Sequence, residues 1–434
     1  MPLHVIGLGV SEQANLDEVA LSALQSADRI IGSQRQLETV RWWISERQVT
    51  EQLPKLSILK GQLASYLDEG ETVALLASGD PLFFGIGKWV RQSFSDLRQD
   101  QLCFHAGVSS IQAACHRLGW SLQDVEVISL HGRPLQSLTT QLKPHTCYVL
   151  LTDQNSSAHA IAKECQRRGF EMAALTVCEK LGYSDERVRL LSIDELIDGE
   201  AQSQRFDPLN VVCLQTLEST QYTPTFPGIP DEQFVTDKAP GKGMITKREV
   251  RLAILSLLEP TTDDCIWDVG AGCGGVATEL ALWGKGAQVH AIEHHPERLD
   301  CLKANQHRFA VEPNLSIVEG SAPDICSTLP AANKVFVGGS GGQLLDILNL
   351  AWEQLPERGM VVASAVTEQT RQQLYQFYQS RFSDETSHVE TFELAVSRGE
   401  TLAGELYYKP QLPVTLYKFV KVEKTATNEA LDHV

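Results

Sequence analysis

The stretch Asp268-Val-Gly-Ala-Gly-Cys-Gly274 decides the fold of the second half of this 434-residue chain. It closes the apolar run Cys265–Val269, which reads as a strand, and leads into the helically spaced segment Val276–Trp283. Glycines at 270, 272 and 274 accept turn dihedrals that other residues resist, and they carry no Cβ to hold a ligand off the backbone. Glu293 stands nineteen residues beyond Gly274, at the end of the next predicted strand, Gln288–Ile292. A carboxylate there can accept hydrogen bonds from both hydroxyls of an adenosine ribose. Strand, glycine turn, helix and acid together predict a nucleoside-cofactor site.

The residues leave two cofactors open, because Gly270, Gly272 and Gly275 also satisfy the dinucleotide pattern GxGxxG of nicotinamide-dependent dehydrogenases. Two details favour S-adenosylmethionine. Asp268 suits a cationic amino-acid cofactor better than a pyrophosphate, and the motif follows a predicted helix at Lys247–Leu258 rather than an opening strand. His294 and His295 follow Glu293 and read as a strand-end feature, so no catalytic base is singled out.

Outward from this motif the α/β rhythm continues. Strands are predicted at Leu315–Val318, Lys334–Val337 and Met360–Ala365, and helices at Arg298–Phe309 and Gln343–Leu355. Val389–Ala395 and Thr415–Val422 read as an antiparallel pair closing the sheet. Upstream, ESTQYTPTFPGIPD (Glu218–Asp231) has three prolines and no periodicity, which marks a linker. The first half alternates strands at Leu3–Leu8, Thr72–Ala77, Leu102–Ala106, Cys147–Leu151 and Asn210–Leu214 with helices at Leu16–Ala27 and Ser110–Leu118, an α/β pattern with a largely parallel sheet. The expected organisation is therefore a domain over 1–216, a linker over 217–231, a second domain over 232–424 and a tail over 425–434.

Composition narrows the partners. A net charge of -18 repels phosphate backbones and anionic membranes, which argues against nucleic-acid binding. The ten cysteines are scattered, with no CxxC, so neither a zinc site nor a disulfide framework is expected, and no metal is assigned. The opening MPLHVIGLGV runs straight into a strand without a basic leader, and no apolar stretch has the length of a membrane span. A cytoplasmic protein is expected. A polyanionic substrate would need a local basic patch, and one exists. Between Asp237 and Arg251 lie Lys238, Lys242, Lys247, Arg248 and Arg251 against two acids. Lys242, Lys247 and Arg251 are the candidate substrate contacts.

The run FVTDKAPGKGMITKREVRLAILSLLEP (Phe234–Pro260), with IWDVGAGCGGVATELA, AIEHHPERL, VEGSAPDI and VFVGGSGG, closely resembles the decarboxylating methyltransferase domain of corrin biosynthesis. The resemblance covers nearly all of 232–422. It implies a class I Rossmann-like methyltransferase fold that methylates carbon 15 of a precorrin and removes the ring-C acetate carboxyl. It also implies cofactor contacts at Thr246, Gly270, Ala271, Gly272, Cys273, Gly274, Glu293 and Ala322.

The first half offers three strand-end motifs, Gly7-Leu-Gly9, Ser78-Gly-Asp-Pro-Leu-Phe-Phe-Gly85 and Gly107-Val-Ser-Ser-Ile111. With the fuller string Gly107–Pro134, ending HGRP, they resemble the tetrapyrrole methylase family over about residues 3–215, and in particular its carbon-5 methylating members. That resemblance implies a two-subdomain fold with S-adenosylmethionine held at Gly79, Asp80, Val108, Ser109 and Ser110. Gly7 and Gly9 would lie nearer the substrate, and His131 and Arg133 would bind substrate carboxylates. The opening loop GLGVSEQANL lacks the further glycines common in that family. The two halves in this order resemble the bifunctional precorrin-6Y C(5,15)-methyltransferase (decarboxylating) family, which implies a precorrin substrate, two S-adenosylmethionines and self-association into a homo-oligomer. A methyltransferase of another small molecule or of RNA, and a non-catalytic carrier of corrin intermediates, are the alternatives.

Overall fold

Strongly apolar five-residue runs set the frame of the first half. The segment VALLA, Val73–Ala77, is buried at every position, as in a parallel strand covered on both faces. The computed structural model describes residues 2–98, 100–198, 205–382 and 387–422, so the expected tail lies outside the described residues. Backbone contacts divide the chain into two units, Met1–Gln221 and Tyr222–Val434.

The first unit holds two five-stranded sheets. Strands β1 (Leu3–Gly7), β2 (Arg29–Gly32), β3 (Val49–Gln52), β4 (Val73–Ala77) and β5 (Leu102–His105) are all parallel, in the order β3-β2-β4-β1-β5. The second sheet has the order β6-β7-β10-β8-β9, from β6 (Val125–Ser129), β7 (Cys147–Leu151), β8 (Ala174–Glu179), β9 (Arg187–Ser192) and β10 (Asn210–Gln215). Only its β6–β7 pair is parallel. A single largely parallel sheet is thus replaced by one parallel and one mostly antiparallel sheet. The short connection from Glu179 to Arg187 turns the chain straight back, which only an antiparallel neighbour permits.

The second unit has a seven-stranded sheet in the order β13-β12-β11-β14-β15-β19-β16. Its strands are β11 (Cys265–Val269), β12 (Gln288–Glu293), β13 (Leu315–Glu319), β14 (Lys334–Val337), β15 (Met360–Ala365), β16 (Ser387–Leu394) and β19 (Val414–Lys421). The first five are parallel, and β16 and β19 close the edge antiparallel. Between them a hairpin of β17 (Ser397–Leu402) and β18 (Glu405–Pro410) forms a separate sheet. The strand order reverses between β11 and β14, which opens a crevice at their carboxyl ends.

The proline-rich stretch is not a free tether. Ile229 and Asp231 are buried in the second unit, where Arg251 holds them. Arg251 is fully buried on the helix Arg248–Leu258 and pairs with Asp231 at 2.7 Å and Glu279 at 2.9 Å. It also donates to the carbonyls of Ile229 and Thr246 and lies over the Phe234 ring at 4.7 Å. Glu279 accepts in addition from the amides of Gly228 and Ile229 and from Trp283 Nε1. A buried charge pair of this kind persists only because every member is satisfied. Arg251, expected at the substrate, is therefore a structural tie. It cannot reach a ligand.

Candidate functional site

In the second unit the carboxyl ends of β11, β12, β13 and β14 surround a cleft of about 900 Å³. Thr246, Gly270, Ala271, Gly272, Glu293 and Ala322 line it, together with Gly338 and Gly339 after β14. Cys273 and Gly274 are not part of its wall. Cys273 is buried with its sulfur 3.8 Å from Asp237, and a Cβ on Gly274 would stand 2.1 Å from Leu302 Cδ1. The loop amides all turn inward. Gly270 and Ala271 donate to the Ile292 carbonyl, Cys273 to Met244 and Gly274 to Ala271. Gly272 donates to Glu293 Oε2 at 2.8 Å. The five amides from Gly270 to Gly274 are thus engaged within the protein rather than turned to a pyrophosphate.

The same contacts revise why glycine is required here. A Cβ on Gly270 would sit 2.4 Å from the Gly339 carbonyl oxygen, and one on Gly272 would sit 2.4 Å from that of Met244. All three loop glycines hold positive φ. Chain-on-chain packing demands them as much as any ligand does.

Two acids face the loop. Glu293 is buried, and its Oε1 accepts from the amides of His294 and His295, which fixes the carboxylate against the cleft wall. Asp268 is fully enclosed, and neither of its oxygens has a hydrogen-bond partner among the described residues. Burial, and next the negative charge of Glu293, push its carboxyl up to about 7. The Ala277 amide, short of full hydrogen-bond geometry, offsets part of this. Glu293 keeps its carboxylate in the cleft wall on three backbone amides, and an acid fixed there suits the vicinal hydroxyls of a nucleoside. The acids present thus fit a cationic nucleoside such as S-adenosylmethionine.

Cations near this cleft differ from those expected. Lys247 lines it, but its ammonium donates to the Gly241 carbonyl and lies 3.9 Å from Asp231. Lys242 is exposed outside the lining. Arg298, which sequence reasoning missed, lines the cleft and stands 3.5 Å from Asp237. His294 is in the wall as well.

In the first unit the three motif loops meet. Gly9 and Gly79 form an isolated antiparallel bridge, with amide-to-carbonyl distances of 3.3 and 3.1 Å. A Cβ on Gly7 would lie 2.7 Å from the Gly79 oxygen, and one on Gly107 would lie 2.4 Å from it. Asp80 clips the assembly. Its Oδ1 accepts from Leu82 and Phe83 amides, and its Oδ2 from Gly107 at 3.4 Å. Ser109 caps the helix Ser110–Leu118 in a reciprocal box with Gln112. The result is a cleft of about 180 Å³, lined by Gly9, Gly79, Asp80, Ser109 and Ser110 on one side and by β10 residues on the other. Gly7 and Val108 are not in its lining. His131 and Arg133 do not join it either. Their exposed turn is held by the Gly132 amide on Asp153 at 2.9 Å, and His131 borders a separate recess that shares Asn210 with the cleft. Sequence reasoning missed Arg35, Gln36 and Thr39, which enter the wall from the helix Gln34–Val40. The S-x-x-Q capping box of Ser33 and Gln36 was the available signal.

Similarity to known proteins follows the same division. A model of the tetrapyrrole (corrin/porphyrin) methylases matches residues 2–197, and a precorrin methyltransferase domain model matches residues 237–421. A Sinorhizobium protein named precorrin-6Y C(5,15)-methyltransferase [decarboxylating] is 32% identical over 96% of both chains. A Methanothermobacter thermautotrophicus protein, named probable cobalt-precorrin-6B C(15)-methyltransferase (decarboxylating), is 33% identical over 43% of this chain and 94% of its own. The crystal structure of a precorrin-6Y C5,15-methyltransferase from Geobacter metallireducens covers 45% of this chain and 98% of that one, at 31% identity and a TM-score of 0.41. Among the described residues no helix is long and apolar enough to cross a membrane.

Proposed function

Because this chain belongs to the precorrin-6Y C(5,15)-methyltransferase (decarboxylating) family, we propose that its two clefts divide the work of one enzyme of cobalamin biosynthesis. The first unit methylates carbon 5 of precorrin-6B or its cobalt form. The second methylates carbon 15 and removes carbon dioxide from the ring-C acetate, giving precorrin-8X. The observation that carries this reading is the inward-turned glycine loop with Asp268 and Glu293 beside it, which favours an adenosyl amino acid over a dinucleotide. The half-length relative named only for the carbon-15 step supports separable activities.

Bound S-adenosylmethionine supplies a methyl group already activated by its sulfonium. The bridging carbons of a reduced tetrapyrrole are enamine-like nucleophiles, so alignment carries most of the catalysis. In the second unit, Glu293 and Gly272 are locked together by their hydrogen bond, which would hold the acid in position for a ribose. Lys247 and Arg298 offer positive charge to substrate carboxylates at the cleft wall. In the first unit, Asp80 holds the Gly107 loop in place and thereby the width of the cleft. A cytoplasmic setting and self-association belong to the same reading, the latter checked by sedimentation.

The test is mass spectrometry of products after incubation with S-adenosylmethionine and precorrin-6B, metal-free and cobalt-bearing, for the parent and Gly272→Arg. The parent is expected to add two methyl groups and lose one carbon dioxide. The variant, whose side chain must enter space held by Met244, should keep only the carbon-5 methyl gain. No mass change with either substrate, despite tetrapyrrole binding, would leave a carrier instead.

A further inference from the structure

The loop between β4 and the helix Gly87–Ser93 carries three consecutive apolar side chains, Leu82, Phe83 and Phe84, which are 60%, 39% and 48% exposed. Exposing an unbroken apolar triplet is costly unless something covers it. The loop is also built stiffly. Asp80 Oδ1 accepts from two of its amides, and Gly87 donates to the Pro81 carbonyl at 2.7 Å. A Cβ at Gly85 or Gly87 would strike the Pro81 oxygen at 2.6 or 2.5 Å, so the turn closes on itself. Phe84 stands at φ 55°, a left-handed conformation that a bulky aromatic side chain adopts only under constraint. Its ring packs edge-on to Phe83 with centroids 5.2 Å apart, and both rings line the first unit's cleft.

Arg35 lines the same cleft. It is exposed, touches Ser78 Oγ at 3.1 Å and makes no ion pair among the described residues. Gln36 donates to the same hydroxyl at 3.1 Å, which anchors the helix that presents the guanidinium. An apolar aromatic ledge and a cation in one cleft match a flat, conjugated ring system edged with carboxylates. Within an acidic protein, an unpaired cation at this place favours an anionic ligand.

We infer that Phe83 and Phe84 form the platform on which the tetrapyrrole macrocycle lies for carbon-5 methylation, with Arg35 taking one of its peripheral carboxylates. The inference rests on the tetrapyrrole function proposed above. The strained backbone of Phe84 holds the ring in place before substrate arrives, so little ordering is left to binding.

The test uses the full chain and reads the carbon-5 methyl gain by mass spectrometry at varied precorrin-6B and varied S-adenosylmethionine. Phe84→Gly removes the ring and also accepts the positive φ without strain, so the loop is retained. Arg35→Gln removes the charge and keeps a donor for Ser78. Phe84→Gly is expected to raise KM for the tetrapyrrole about tenfold, and Arg35→Gln about fivefold. KM for S-adenosylmethionine should stay put, and so should the second unit's methylation and decarboxylation. An unchanged tetrapyrrole KM overturns the platform while leaving the enzyme's function intact, and a parallel rise in both KM values overturns it in favour of a cofactor wall. A change in sedimentation instead of in KM overturns it in favour of a contact between copies. A parent chain that methylates no tetrapyrrole sinks the functional reading and this inference together.

Discussion

In the first unit three loops from three strands close on one another, whereas in the second a single loop folds back on its own sheet. Gly7, Gly79 and Gly107 leave no Cβ room between them, and Asp80 pins the meeting point, so the cleft of about 180 Å³ is shaped by long-range contacts. In the second unit Gly270–Gly272 are held by β12 and by Met244, and a cleft of about 900 Å³ stands open beside them. Both clefts are lined by distant segments, but the second is organised around one short turn. Only the short turn carries a dense local signature.

The sharpest way to break this comparison is to remove the tie at Arg251. Arg251→Met leaves Asp231 and Glu279 buried without their partner, a loss of about 3–5 kcal/mol. Hydrogen exchange should show the loss in the second unit while β1–β5 stay protected. Next, Glu293→Ala removes the acid proposed to meet the ribose and frees the Gly272 amide. Carbon-15 methylation with decarboxylation is expected to fall about a hundredfold, and carbon-5 methylation should persist. Equal loss of both would show that the clefts do not act separately.

Asp268 gives a pH test of intermediate size. Its folded-state value, about 7, lies above that of an unfolded aspartate, so the folded protein holds the proton more tightly. Stability from this group is present below the unfolded value and lost as pH rises towards 7. Asp268→Asn removes that slope. Without cofactor, the variant should gain on the parent by on the order of 2–4 kcal/mol between pH 4 and 7 and no further above it. A constant difference across that range would refute the assignment. The smallest effect belongs to the first unit's cap. Ser109→Ala should cost about 1 kcal/mol in thermal unfolding and leave the second unit's products unchanged.

These differences also explain what the sequence made legible. β11 and its glycine loop stood out because strand, turn, helix and acid fall within thirty residues, and local chemistry dictates each. β9 and the β17–β18 hairpin did not, because their faces alternate with exposed charges and carry no buried run. Lys247 and Arg251 stand in a basic string, yet spacing alone does not say which face of a helix turns inward. Arg251 turned to a buried acid pair whose members lie 20 and 28 residues away. Arg35 carries no signal because a lone arginine inside a capping box means nothing until β4 brings Ser78 beside it.

The segment held by Arg251 also sets where the molecule can be divided. A cut at residue 232, where sequence alone ends the linker, would strip away the carbonyl of Ile229, the carboxylate of Asp231 and two donors to Glu279. It would leave the buried guanidinium with only Glu279 and the Thr246 carbonyl at the heart of the remaining piece. The usable seam lies upstream, before Tyr222, and any free-standing version of the second unit must bring its own ten-residue strap along.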